Sequence, residues 1–203
     1  YFKKVLEGQP DHYEANRDLA YALGWLGETR AARPYLEKAL RRNAERLAQS
    51  PQDDELYLDR ARIFWDLKNE PEMRVSLDRA TALNPDSARA WHFRGFLATE
   101  AGDDQRAEEY FQHARHADPR FIKPYLGLAQ LRARAGQFVE AVDYYEQILE
   151  LNPESLGVYG EISSCYLSLN QPARAAQMAG RMIDRDPDSF EGWGMLARSY
   201  HAS

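Results

Sequence analysis

The chain has 203 residues, 44% apolar and 29% charged, with a net charge of -6. Such a mixture buries a core, and its acidity excludes the concentrated positive field that broad nucleic-acid binding requires. No apolar run approaches the ~20 residues that span a bilayer, and Cys165, the only cysteine, leaves no internal disulfide or thiolate zinc cluster.

The prolines set a frame. Pro51, Pro85, Pro119, Pro153 and Pro187 follow one another at intervals of 34 residues, in phrases such as LNPDS, ADPRF, LNPES and RDPDS. With each closing proline placed at position 32 of a unit, residues 1–12 are the second helix of a preceding repeat. Residues 13–53 form a repeat carrying seven extra residues, 45–51, and Leu36, Leu40, Ala44 and Leu47 continue one apolar stripe through them. The spacing predicts a second helix lengthened by about two turns and projecting from the stack, read as a tolerated insertion before a docking spur. Pro34, inside that helix, is expected to bend it. Residues 54–87, 88–121, 122–155 and 156–189 are full repeats, and 190–203 are the first helix of a further one. The chain opens within a second helix and closes within an unpartnered first helix, so a segment of a longer repeat protein is expected.

Within the units, position 4 reads Asn16, Tyr57, Trp91, Tyr125, Tyr159 and Trp193. Position 8 is small throughout (Ala20, Ala61, Gly95, Ala129, Ser163, Ala197), and position 20 reads Ala32, Met73, Ala107, Ala141 and Ala175. Offsets 4, 7, 8 and 11 trace one face of a first helix, and 20, 24 and 27 one face of a second. Small residues where the two helices meet let their backbones approach, while the aromatic at position 4 fills the wider space beside them. Gly27, Gly102, Gly136 and Asn170 suit a left-handed helix end. Ser87, Ser155 and Ser189 are placed to cap first helices.

These residues resemble the tetratricopeptide repeat family, whose 34-residue pattern of Trp, Leu, Gly, Tyr, Ala, Phe, Ala and Pro is matched over almost the whole chain. The resemblance implies an all-α fold, a right-handed superhelical solenoid of antiparallel helix hairpins with five full repeats and partial repeats at both ends. Arg60, Arg94, Arg132 and Asn16 depart from the pattern. The long arginine stems are expected to lie on apolar surface with their heads in water.

No nucleotide-binding glycine loop, nucleophile elbow or zinc-binding His-Glu-x-x-His appears, so no catalytic residue, metal or cofactor is assigned. His113 and His116 stand three apart on a second helix without a third ligand, and are read as solvated. Cys165, on a first helix, is expected to be packed instead of reactive.

In the resembled family the first helices line the inside of the superhelix, which makes their inward positions the candidate site. Here they carry Arg17, Tyr21 and Trp25 in the first full repeat and Arg62 and Trp65 in the second. The third gives Arg89, His92 and Phe96, and the fourth gives Gln130 and Arg134. Aromatics and arginines are the types enriched at binding hot spots. The family's Lys/Asn/Arg clamp for chaperone tails has no match at these positions. The resulting expectation is an interaction scaffold without enzymatic activity, holding a protein or peptide partner on its concave face, with neither nucleic acid nor membrane. The arginine-rich composition, with only five lysines among 26 basic residues, also resembles bacterial envelope proteins in which such repeats precede a polysaccharide-export barrel, and favours the periplasm over the cytoplasm. Direct binding of an anionic glycan, or a passive spacer role, are the alternatives.

Overall fold

The computed structural model describes residues 2–202. Among them are twelve helices and no strand: α1 (Phe2–Gly8), α2 (Tyr13–Trp25), α3 (Thr29–Gln49), α4 (Asp54–Asp66), α5 (Glu70–Leu83), α6 (Ala88–Glu100), α7 (Asp104–Ala117), α8 (Ile122–Arg134), α9 (Phe138–Leu151), α10 (Leu156–Ser168), α11 (Pro172–Arg185) and α12 (Phe190–His201). The molecule is an all-α repeat solenoid. It divides into two compact units, one ending at Ala90 and the other beginning at Trp91.

In the first unit α2 packs on α3 and α4 on α5. Leu19, Ala20 and Leu23 of α2 meet Ala32, Leu36 and Ala39 of α3, and Leu56 and Ile63 of α4 join the same core. In the second unit α8 pairs with α9 and α10 with α11, and α12 packs on α11. Tyr125, Ala129, Tyr145, Ile148, Tyr159 and Ile162 carry that core, with Met178 and Met182 closing it. Phe111 is held between two bare backbones. A Cβ at Gly95 of α6 would lie 2.5 Å from one edge of its ring, and a Cβ at Gly127 of α8 2.6 Å from the other.

The turns follow from their residues. Gly27, Gly102 and Gly136 end first helices at φ 74 to 78, and Asn170 does so at φ 56, a conformation that strains most side chains. Lys68 takes the same place at φ 60. At the other end of the hairpins, Asn84, Asp118, Asn152 and Asp186 each accept, through Oδ1, the amide hydrogen of the residue two further on, at 2.9–3.2 Å. That local bond favours a turn over another helical residue. Ser87 and Ser189 accept the amides of Ala90 and Gly192. Ser155, expected to do the same, makes no side-chain cap bond.

Position 4 makes a recurrent bond. Asn16 Nδ2 donates to the Pro10 carbonyl at 2.9 Å, Tyr125 Oη to Pro119 at 2.8 Å, Tyr159 Oη to Pro153 at 3.1 Å, and Trp193 Nε1 to Pro187 at 2.9 Å. Three different side chains thus latch a first helix to the main-chain carbonyl six residues upstream. Asn16 matches the repeat in function although it departs from it in type.

The predicted long helix is present. α3 has 21 residues where α5, α7, α9 and α11 have 14, and it continues through Pro34 as one helix. Its inner stripe differs from expectation: Ala44 is exposed, and Leu36, Ala39, Asn43 and Leu47 are buried. Asn43 holds the place that carries the turn residue elsewhere. Here its Nδ2 donates to the Leu56 carbonyl at 2.8 Å and to Tyr13 Oη at 3.3 Å. Asn43, just before the extension, and Leu47, within it, thus hold this part of α3 to α4 along one side.

Candidate functional site

In the first unit a polar chain runs beneath the inward positions of α2 and α4. Arg17 reaches Asp59 Oδ2 at 2.5 Å and Asp18 at 2.9 Å. Tyr13 Oη donates to the same Asp59 oxygen at 3.1 Å, and Asn43 joins the group from α3. Burial would lower the Arg17 guanidinium, but Asp59 and Asp18 hold it above its usual value. Burial, and after it Asp59, push the Tyr13 hydroxyl up to about 12. The Arg17 head is thus committed to internal carboxylates. Asp59, Tyr13 and Asn43 were not singled out in the sequence; the available signal was polar Asn16 and Asn43 standing in otherwise apolar stripes.

Tyr21, half-buried, presents its ring beside this network. Its hydroxyl is sealed from solvent, and burial and Asp59 raise its pKa. Tyr21, Gly24 and Trp25 of α2, Thr29, Ala32 and Leu36 of α3, and Asp66 and Lys68 at the end of α4 surround an open recess of about 360 Å³. Ala20, Ala32 and Leu36 give it apolar lining, and the space beside Gly24 is open, since a Cβ there would meet nothing within 4 Å. Trp25 stands at its edge with 92% of its surface in water. Trp65 is half-buried, and the Lys68 ammonium lies 4.9 Å from its ring centroid. Burial lowers the Arg62 guanidinium, and the like charge of Arg89 adds to the effect. Arg89 itself is exposed and paired with Glu55 at 2.6 Å.

In the second unit His92 packs on Phe111 and, edge-on, on Phe121, with centroids at 5.7 and 5.5 Å. Phe96 stacks on Phe93 at 6.1 Å. Gln130 is exposed, and Arg134 pairs with Asp104 at 2.6 Å. These side chains make internal contacts as well as offering surface, so the recess of the first unit is the more open feature.

A second hollow, of about 410 Å³, lies along α7 and includes His113 and His116. His113 is stacked on Trp91 at 4.8 Å, which occupies one face of its imidazole. No group of three or more His, Cys, Asp or Glu side chains among the described residues is placed to hold a metal. Cys165 is buried, and burial, then Glu161, raise its thiol to about 11. Among the described residues no helix is long and apolar enough to cross a membrane.

Two models described as tetratricopeptide repeat match the chain, one over residues 25–72 and 76–120, the other over 132–199. The chain is 31% identical over 100 residues to the tetratricopeptide repeat-containing protein trd-1 of Caenorhabditis elegans, which covers 49% of the chain and 13% of that protein. It spans a small fraction of the curated relatives it matches. Among solved structures it is similar to yeast Tom70, with a TM-score of 0.72 and 17% identity over 100% of the chain and 42% of the other. It is also similar to YrrB, described as a TPR protein with an unusual peptide-binding site, with a TM-score of 0.58 and 16% identity over 95% and 96%.

Proposed function

The chain belongs to the tetratricopeptide repeat family, whose fold generally mediates protein–protein interaction, and we propose that it holds a partner protein or extended peptide against the inward positions of its first helices. One observation carries this reading: the recess beside Tyr21 and Gly24, with a solvated Trp25 at its edge. Large aromatics left in water beside an apolar recess are the type of surface that becomes a binding hot spot. The peptide-binding site in the description of YrrB supports the same kind of ligand. Arg62, Trp65 and Arg89 extend the proposed surface within the first unit, and His92, Phe96, Gln130 and Arg134 are the inward positions of the second. Arg17 serves it indirectly, by fixing α2 to α4 through Asp59. Proteins of this family are typically non-enzymatic scaffolds, and nothing in the recess resembles a nucleophile with its base.

The proposed setting is a bacterial envelope or polysaccharide-export assembly in the periplasm, a reading that the arginine-rich composition supports. Affinity capture from a lysate with the wild-type chain and with a Trp25→Ala/Trp65→Ala variant tests the scaffold reading. Proteins retained by the wild type and lost by the folded variant are the expected result. Equal retention by both, or capture abolished only by a soluble anionic glycan, argues against it.

A further inference from the structure

The recess of the first unit has a chemical bias beyond being apolar. It is lined by Ala20, Ala32 and Leu36, by the aromatic Tyr21 and Trp25, and by Thr29, Asp66 and Lys68. Asp66, at the rim, is the only carboxylate in the lining and makes no hydrogen bond or ion pair with any described residue. Lys68, the neighbouring cation, has its ammonium over the Trp65 ring at 4.9 Å and forms no ion pair with that carboxylate. An apolar lining, two aromatic side chains and a carboxylate that Lys68 and Arg62 influence only at a distance, without an ion pair, together match a side chain with an apolar stem and a flat cationic head. From this arrangement we propose that the recess is a pocket for an arginine side chain carried by an extended segment of the partner protein, its stem on Ala32 and Leu36, its guanidinium against Trp25 and paired with Asp66.

The proposal rests on the scaffold reading above and sharpens it. Guanidinium fits better than ammonium because it offers a planar fork to the carboxylate and a flat face to an indole. Desolvation raises the Asp66 carboxyl above its ordinary value, against the pull of Lys68 and Arg62. This is the condition a further cation would relieve. The space beside Gly24 is open, since a Cβ there would meet nothing within 4 Å.

The test uses a random dodecapeptide library displayed on phage and selected on the full chain, followed by anisotropy titrations with the synthesised winners. Enriched peptides are expected to share an arginine. Replacing it with citrulline, which keeps the shape and removes the charge, should weaken binding about tenfold, as expected for one charge-assisted pair. Asp66→Asn should cost the same factor for the arginine peptide and nothing further for the citrulline peptide. Gly24→Leu, which fills the recess and favours the helix, should abolish binding while helix content is kept. Winners without a shared basic residue, or with equal affinity for wild type and Asp66→Asn, overturn the arginine pocket. If such winners still lose binding to Trp25→Ala/Trp65→Ala, the scaffold reading stands without it. A selection that enriches no peptide overturns the arginine pocket, and the affinity capture described above then decides the scaffold reading by itself.

Discussion

The clamp on Phe111 gives the sharpest check on how the helices pack. Alanine at Gly95 would bring its Cβ to 2.5 Å from Cδ1 and Cε1 of the ring, and alanine at Gly127 to 2.6 Å from Cε2. Phe111 is 4% exposed and has glycine backbones against opposite edges, so it cannot retreat from one without striking the other. Overpacking of this kind costs about 1–3 kcal/mol, whereas an unobstructed Gly→Ala change in a helix gains about 1 kcal/mol. Gly180, inside α11 with nothing within 4 Å of its would-be Cβ, is the matched control. Urea titrations followed by far-ultraviolet circular dichroism should show Gly180→Ala shifting the midpoint up. Gly95→Ala and Gly127→Ala should fall about 1–3 kcal/mol below that control. Phe111→Leu in the Gly95→Ala background should recover part of the loss, with a coupling of about 0.5–3 kcal/mol. Equal gains from all three alanines and additive double mutants would refute the clamp.

Removing Arg17 leaves Asp59, a largely buried carboxylate, without its cation; Arg17→Ala should cost about 2 kcal/mol, discounted from a fully enclosed pair for its partial exposure, and Asp59→Asn should restore part of it in melts of the double variant. The Tyr13 hydroxyl is raised in the folded state to about 12 from 10.0; folding therefore favours the protonated form, its contribution is intact below pH 10, and it is lost as pH climbs towards 12. Tyr13→Phe should flatten that part of the alkaline stability profile, and an unchanged slope contradicts the assignment. Cys165, buried with its thiol raised to about 11, should resist a thiol reagent in the native protein at pH 8 and react at once in urea; immediate stoichiometric labelling of the native chain would show the site to be open. Lys68→Gly removes a left-handed lysine at φ 60 and should stabilise by about 0.5–1 kcal/mol, less whatever Lys68 contributes over Trp65.

The sequence carried the fold because spacing carries it. Prolines at a constant interval, a small residue at position 8 of each repeat and glycine or asparagine after all but one of five first helices are local requirements met by residue type alone. Lys68 escaped this reasoning because nothing about lysine advertises a left-handed turn. Asn43 escaped because its burial depends on a carbonyl 13 residues away, which periodicity cannot see; the stripe was therefore drawn through Ala44. The candidate site was legible to the same depth. Position in the repeat identified which side chains face inward, but neighbours decide whether they are available. Arg17 is taken by Asp59 and Phe96 stacks on Phe93, while Trp25 stands in water at the edge of the recess.

The latch between position 4 and the preceding turn bears on how such arrays change over time. Its receiving half is a main-chain carbonyl, which no substitution at that residue removes. Its donating half is an amide, a phenol or an indole, so drift at this position can exchange donors of very different size and keep the joint. A repeat duplicated or transplanted elsewhere in the array brings its own donor and finds the same acceptor waiting at the end of its new neighbour. The array is in this sense modular at its seams, and the faces between the seams are free to diverge towards whatever they bind.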